Sequence, residues 1–242
     1  MHRVGTGVPM SHLFLAFTNP EEGVESTFNS WYDSRHVPEV LRYGRGFTGC
    51  QRFRLLREVR RGELHPWSYL ALYTLESDDL AALANRPWIE GAPPLTPFTG
   101  LLKNDHVAWV YSPVGGRVER ENASPANEGA GTASFLMLRW QRTSGGLPEE
   151  FTLRSAINRV PAGVAMQAFQ LAEAQRGNQQ SSPWRGLILE ELSRADELPS
   201  ASPGPAWLYT AVSEYRTRES VLASRFDSRV SAGERQSGAS DV

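Results

Sequence analysis

Three side chains near the start of the chain have the types and the spacing that acid-base chemistry needs. Tyr32, Asp33 and His36 fall within about one helical turn of one another. An imidazole titrates near neutral pH, so His36 could move a proton on and off a carbon or oxygen acid. Tyr32 could orient that ring or donate a hydrogen bond to a developing oxyanion, and Asp33 could fix the ring tautomer. These residues are the predicted catalytic site, although a helix-end histidine beside a core tyrosine would show the same pattern.

Side chains that could bind a substrate lie on the same predicted helix and on the strands that follow it. Aromatic rings could wall a pocket for an apolar ligand, an arginine could pair with a carboxylate, and a second histidine could face the same cavity. Each of these residue types could instead have a purely structural role. Aromatic residues in strands, for example, mostly belong to the hydrophobic core. The predicted substrate-binding residues are Phe28, Trp31, Arg52, Trp67, Tyr69 and His106.

The sequence carries no pattern typical of a bound metal or nucleotide. The five histidines show no H-x-H or H-x-x-x-H spacing, and there is no glycine-rich phosphate loop of either standard pattern. The single cysteine, Cys50, excludes an internal disulfide and is more often a small buried apolar residue than a nucleophile. We therefore expect no metal and no cofactor.

The helix that positions the catalytic candidates is predicted to begin at Asn19 and Pro20, a cap residue followed by a proline at the first helical position. Apolar residues then recur at three- and four-residue spacings, so one helix face points inward and ends in the imidazole. Val37 precedes Pro38 and is pushed away from helical dihedral angles. This predicts that the helix stops or kinks beside His36.

Four sequence blocks recur in the same order along the chain. A duplication explains such a series better than chance, and a repeat of this length indicates two copies of a domain. The blocks are Q-x-F-x-L at 51–55 and 167–171, P-W-x-x-L-x-L at 66–72 and 183–189, A-W-x-Y at 108–111 and 206–209, and F-L at 14–15 and 135–136.

Each copy reads as β-α-β-β-α-β, the ferredoxin-like unit. The predicted fold class is α+β, with two tandem ferredoxin-like repeats packed sheet to sheet into an α/β barrel and a pocket in the space between the sheets. The second copy has no histidine, so we expect it to be a degenerate, structural half. The predicted boundaries are a first repeat at 1–112 with the candidate site, a linker at 113–132, a second repeat at 133–226 and a mobile tail at 227–242.

Composition is typical of a globular protein. The chain has 242 residues, a formal net charge of -2 and 40% hydrophobic residues. This balanced charge gives no basic stripe for nucleic acid and no polybasic patch for a membrane surface. The apolar run near the N-terminus, 13–17, is too short for a signal peptide. We expect a cytoplasmic protein whose partner is a small molecule rather than nucleic acid or a membrane.

The stretch 19–41, which contains W-Y-D-S-R-H-V-P-E-V-L, with G-F at 46–47 and Q-R-F at 51–53, resembles the EthD-like members of the dimeric α/β-barrel superfamily. The resemblance is most specific over residues 11–75. It implies paired ferredoxin-like units in one barrel, matches His36 to the motif histidine of the family, and leaves room for a homodimer. Barrels of this superfamily host cofactor-free cyclases, isomerases and decarboxylases, and also haem enzymes.

Three functions follow as hypotheses. The first is a cofactor-independent lyase or isomerase, of dehydratase, decarboxylase or cyclase type, in which His36 acts on a small apolar or aromatic carbonyl-containing metabolite of the kind found in secondary metabolism. The second is a haem protein with His36 or His106 as the axial ligand. The third is a non-catalytic carrier of an apolar metabolite.

Overall fold

The computed structural model of the chain describes residues 11–62, 64, 66–119, 134–142, 165–173, 182–192, 194 and 204–224. Several sequence predictions fall outside these ranges. They are most of the linker, the first helix of the second repeat and the tail at 227–242.

Nine strands are formed among the described residues, and eight of them coincide with strands predicted from the sequence. Burial alternates along β1, where Leu13, Leu15 and Phe17 are buried on one face while Phe14 and Ala16 pack on the other. The strands are β1 (His12–Pro20), β2 (Phe47–Arg60), β3 (Tyr69–Leu75), β4 (Leu101–Glu119), β5 (Phe135–Gln141), β6 (Ala165–Leu171), β7 (Gly186–Leu192), β8 (Ala206–Ala211) and β9 (Arg216–Thr217).

The strands make one antiparallel sheet that closes on itself. Their order is β3-β1-β4-β6-β7-β5-β8-β2-β9, and β3 also pairs with β2, so eight strands complete a barrel and β9 lies beside β2. The predicted α+β fold of two ferredoxin-like repeats packed sheet to sheet is therefore wrong. The two halves are joined through the hydrogen-bonded pairs β4–β6 and β2–β8, because pairing each half's outer strands satisfies edge groups that two separate layers would leave open.

The repeated sequence blocks fall on matching strands of this barrel. The first four strands are ordered β2-β3-β1-β4, and the next four are ordered β6-β7-β5-β8. Q-x-F-x-L lies in β2 and β6, and the tryptophan of A-W-x-Y lies in β4 and β8. The internal repeat thus places equivalent inward-facing side chains in both halves.

Aromatic rings fill the interior of the barrel. Five tryptophans meet there with neighbouring ring centroids 4.8 to 6.0 Å apart. The space in which the sequence analysis placed a pocket therefore holds a packed aromatic core. Its aromatic members are Phe17, Phe53, Trp67, Trp109, Tyr111, Trp140, Phe169, Trp184, Trp207 and Tyr209.

The described helices lie outside the barrel. An α-helix, α1 (Glu25–Trp31), leads through a π-helical turn (Tyr32–His36) into α2 (Val37–Tyr43), and this segment packs on the outer face of β2 and β3. It begins later than predicted, because Asn19 and Pro20 belong to β1. A short helix, α3 (Leu80–Asn85), is capped by Asp79, and α4 spans 218–224. None of the helices in the described ranges is long and apolar enough to cross a membrane.

The π turn has a cause that is visible in the spacing of the buried residues. Phe28 and Val37 are both buried although they are nine positions apart, which at about 100° per residue would put them on opposite sides of a regular α-helix. The wider turn corrects the rotation, with the Val37 N–H donating to the Tyr32 carbonyl. Pro38, which lacks an N–H, follows at the start of α2. The helix is thus interrupted beside His36 but does not end there.

Candidate functional site

The π turn carries all three predicted catalytic residues. Tyr32 and His36 form its two ends, and Asp33 follows Tyr32. Single π turns within α-helices occur frequently at functional sites. The turn lies over the outer faces of β2 and β3, so the candidate site is between helix and sheet and outside the barrel interior.

The imidazole of His36 is held between aromatic rings. It stacks on Trp31 with ring centroids 4.7 Å apart and meets the Tyr32 ring edge-on at 4.8 Å. The pKa of His36 is lowered from 6.5 to about 4, chiefly by burial; the Glu39 carboxylate opposes this shift and the positive charge of Arg52 adds to it. Its Nδ1 is buried and has no hydrogen-bond partner in the described part of the chain. At neutral pH the ring is therefore uncharged, with a buried nitrogen that is not in use.

Asp33 does not fill the role that its spacing allowed. Its carboxylate pairs with the Arg52 guanidinium at 2.9 Å, and its backbone carbonyl accepts a hydrogen bond from Arg216 at 2.5 Å. The Nδ1 atom of His36, one of the two ring nitrogens that Asp33 could have held, has no partner in the described part of the chain. Asp33 therefore anchors the π turn to β2 and does not set the histidine tautomer at that atom.

Arg52 is the polar centre of the site. Its side chain is only 2% exposed, and besides Asp33 it donates to the Asn29 side-chain oxygen at 2.6 Å. Three rings surround its guanidinium, with that of Tyr32 at 4.4 Å from Cζ and those of Phe28 and Tyr69 farther away. Since Asn29 lies on α1 and Asp33 on the π turn, Arg52 ties both to β2. It was predicted to bind substrate, and the structure gives its donors protein partners.

The hydroxyl of Tyr32 lies near two further buried groups that the sequence did not single out as a set. Cys50 and Tyr73 are opposite each other on β2 and β3. Burial is the main cause that raises the pKa of all three groups, which are therefore protonated at neutral pH. The Tyr73 hydroxyl is in electrostatic contact with Tyr32 and Cys50 but makes no well-formed hydrogen bond among the described residues. Cys50 is accordingly a buried thiol and not an activated nucleophile.

The remaining aromatic residues of the helix form one wall of the site. Phe28 is fully buried against Tyr69, and Trp31 is half-buried and stacks on Phe98 at 5.1 Å. The Tyr69 hydroxyl donates to the Glu25 carboxylate and accepts from Asn29. The structure thus brings Phe28, Trp31 and Tyr69 together with His36 and Arg52.

Two predicted binding residues lie elsewhere. Trp67 points into the barrel, where its ring meets Phe17 and Trp109. His106 is an exposed residue of β4, paired in register with Thr18. Neither has a described contact with His36, so both are separate from the candidate site. In a regular strand, residues two positions apart, such as Trp67 and Tyr69, would lie on the same face. Trp67 precedes β3, which begins at Tyr69, so this alternation does not apply to it.

The C-terminal part of the chain completes the site, which sequence reasoning missed. Ser213 accepts the Arg52 backbone N–H at 3.0 Å, and Tyr215 shares a hydrogen bond of 3.0 Å with Thr74. A side chain at Gly49 would collide with the Tyr215 hydroxyl, so the glycine is needed for this approach. The signal was slight, consisting of polar residues between β8 and α4.

The second half carries a different polar pair on its outer face. Arg139 and Glu190 are buried and form an ion pair of 2.5 Å between β5 and β7. Burial raises the pKa of Glu190 and the charge of Arg139 opposes this. Across the ranges that the structure describes, no group of three or more His, Cys, Asp and Glu side chains is arranged to hold a metal ion.

Comparison with known proteins bears on the fold. No family model matches the sequence, and no curated protein matches it. Two chains of known structure do match, and one is described as a crystal structure study of an anthrone oxidase-like protein. Its TM-score is 0.52 over 86% of this chain and 93% of that chain, at 10% sequence identity. The two proteins share a fold. At this identity the likeness extends no further, and membership of the EthD-like family stays a prediction.

Proposed function

We propose that this chain processes a small aromatic, carbonyl-containing metabolite by proton transfer at His36. The observation that carries the proposal is a partly buried, uncharged imidazole whose buried Nδ1 has no described partner and which lies on a π turn beside a protonated tyrosine. Unused buried polar atoms are costly, and they persist where a ligand or a reaction needs them.

The low pKa of His36 favours a particular kind of acidic substrate. A base with a pKa of about 4 is always available at neutral pH but takes up protons weakly, and it returns them readily. It therefore fits a substrate whose C–H or O–H is acidified by a neighbouring carbonyl and by aromatic rings. Tyr32 stays protonated and is the group on this turn that can donate to the oxyanion that forms.

The reaction classes that share this step are lyases and isomerases of dehydratase, decarboxylase or cyclase type, none of which needs a cofactor here. The aromatic wall of Phe28, Trp31 and Tyr69 supports an aromatic substrate. An oxidase is the second candidate, because the structural neighbour is described as anthrone oxidase-like and the same deprotonation precedes oxidation of an anthrone-type ring by dioxygen.

The residues fit a haem group poorly. An axial histidine presents one nitrogen to a flat group much wider than itself. The ring of His36 is enclosed by Trp31 and Tyr32 with Nδ1 buried, and His106 is exposed on a strand.

Deuterium exchange tests the proposal without knowledge of the product. In D₂O the protein should accelerate exchange of the acidic C–H of aromatic ketones such as anthrone, and His36→Ala should reduce this acceleration by ~10² or more. His106→Ala is the matched control and should exchange like wild type. Equal exchange by His36→Ala would exclude proton transfer at His36, and tight binding without exchange would favour the carrier. Oxygen uptake during turnover would select the oxidase.

A further inference from the structure

Three flat groups follow one another at the edge of the candidate site. Phe98 stacks on Trp31 with ring centroids 5.1 Å apart and planes 28° apart, and Trp31 stacks on His36 at 4.7 Å and 29°. Phe98 also meets the edge of Phe28 at 5.7 Å. Trp31 is thus a platform that already holds one ring contributed from a different part of the chain.

Phe98 reaches this platform from a segment with little structure of its own. Residues 92–98 form neither helix nor strand. They are fastened at exposed Thr96, whose N–H and hydroxyl both donate to the Glu39 carboxylate, at 2.8 and 2.5 Å, and whose carbonyl accepts from the Trp31 indole at 3.1 Å. These hydrogen bonds are exposed to solvent, and besides Phe98 it is Leu95 of this segment that packs against the apolar cluster beneath the helix, so few buried contacts hold the segment in place.

The backbone beside Phe98 is shaped to let the ring lie there. A side chain at Gly100 would come within 2.9 Å of the Phe98 ring and 3.0 Å of Val24. The ring is only partly buried, unlike Phe28 behind it. Phe98 is therefore a removable ring on a fixed platform, and not part of the permanent core.

We propose that Phe98 occupies the place of a planar aromatic ring of the ligand, and that residues 92–98 swing away when that ring stacks on Trp31. This inference rests on the proposed function for the identity of the site, and deepens it by assigning an anchoring subsite for a flat ring. The anchored ring holds the molecule, while the reacting atoms extend toward the π turn. Because Phe98 competes for the platform, the apparent affinity of the free protein is lower than that of the opened form.

Calorimetric titration with 1-naphthol and with its saturated, non-planar analogue decahydro-1-naphthol tests the subsite. Phe98→Ala should bind 1-naphthol roughly threefold to tenfold more tightly than wild type, the range expected for one lost aromatic pair. Trp31→Ala should bind it about tenfold more weakly. Trp88→Ala, an exposed aromatic residue in the same connection, is the matched control and should not change the affinity.

The results that would overturn the subsite are specific. Weaker or unchanged binding of 1-naphthol by folded Phe98→Ala would do so, as would equal binding of the planar and the saturated probe. Glu39→Ala releases Thr96 without touching the rings and should also tighten binding, so it decides the question if Phe98→Ala does not fold. Binding is measured without turnover, so failure here leaves proton transfer at His36 standing, and loss of exchange activity leaves the subsite standing.

Discussion

At the scale of single residues, the site depends on how buried charge is compensated. Arg52 is the buried cation beneath the π turn, and its partner Asp33 keeps 31% of its side chain exposed. Removing one member of an ion pair costs less when the other is partly hydrated, because the remaining charge is not left fully buried. The hydrogen bond to Asn29 therefore matters as much as the charge, because it joins α1 to the same guanidinium.

Arg52→Met should lower the free energy of unfolding by about 2 kcal/mol, less than for a fully buried pair, because Asp33 remains partly in water. Arg52→Lys should recover only part of this loss, since an ammonium cannot bond Asn29 and Asp33 as a planar fork does. Urea unfolding measures both values. Arg54→Met, an exposed arginine two positions along β2, is the control, and a loss equal to that of Arg52→Met would contradict the bridging role.

His36 makes stability depend on pH. Its folded-state pKa of about 4 lies below the ordinary value of 6.5, so between these values the unfolded chain binds a proton that the folded chain does not. The free energy of unfolding should therefore fall as the pH is lowered through this window, by about 2 kcal/mol between pH 7 and pH 5. His36→Phe should lose this part of the dependence. If the two proteins show parallel stability curves over that range, the imidazole is not buried in the neutral form.

At the scale of elements, the π turn sets the geometry of the site. It lets Phe28 on α1 and Val37 on α2 face the same sheet while Tyr32 and His36 stand at its two ends. A π turn contains one residue more than the α turn it replaces. Removing one residue should therefore give a continuous α-helix with both flanking faces nearly preserved.

Deletion of the exposed Arg35 tests this relation. The free energy of unfolding should change by less than about 1 kcal/mol, because Phe28 and Val37 can stay buried. The His36 ring should leave its place between Trp31 and Tyr32, and its pKa, followed by NMR, should rise from about 4 toward 6.5. Arg35→Ala keeps the residue count and should leave the pKa unchanged. A deletion variant that retained the low pKa would show that the turn does not position the ring.

The sequence predicts the strands well and the helical segment only in part. Alternation such as that of Leu13, Leu15 and Phe17 is a local property of one strand. The pairs that close the barrel, such as Phe53 with Ala211, join residues far apart in the chain and leave no local signal. The placement of Phe28 and Tyr32 near His36 followed from helical spacing.

The same local reasoning could not locate the rest of the site. The ion pair of Asp33 with Arg52 depends both on the rotation that the π turn introduces and on the position of β2. Contacts such as that of Ser213 with Arg52 join residues that are far apart in the sequence. One signal was available: the nine-residue interval between Phe28 and Val37 does not fit a single face of a regular α-helix.

At the scale of the whole molecule, the aromatic interior makes the two halves interdependent. Trp207 from the second half contacts Phe17 and Trp67 from the first, with ring centroids 6.0 Å apart in each case. The hydrogen-bonded sheet also joins the two halves at both junctions, where β2 pairs with β8 and β4 pairs with β6. The barrel interior is one core to which both halves contribute, so unfolding should be cooperative.

Trp207→Ala should lower the free energy of unfolding by roughly 3–5 kcal/mol, because it empties a large fully buried volume between the halves. Far-ultraviolet circular dichroism and tryptophan fluorescence should still report one coincident transition in both the variant and wild type. Trp88→Ala, which removes an exposed indole, should cost far less. Two separate transitions in wild type would contradict a shared core.

Closure of the barrel within one chain also has an evolutionary consequence. Had two identical chains built such a barrel, every substitution would appear in both halves at once, and a change that improved one helix-covered face would be imposed on the other. Here each half has its own codons. The outer face of one half has Arg52 beneath a π turn, and that of the other half has the Arg139–Glu190 pair. Neither substitution had to occur in both halves. Joining the halves thus frees one face to specialise while the other preserves the architecture.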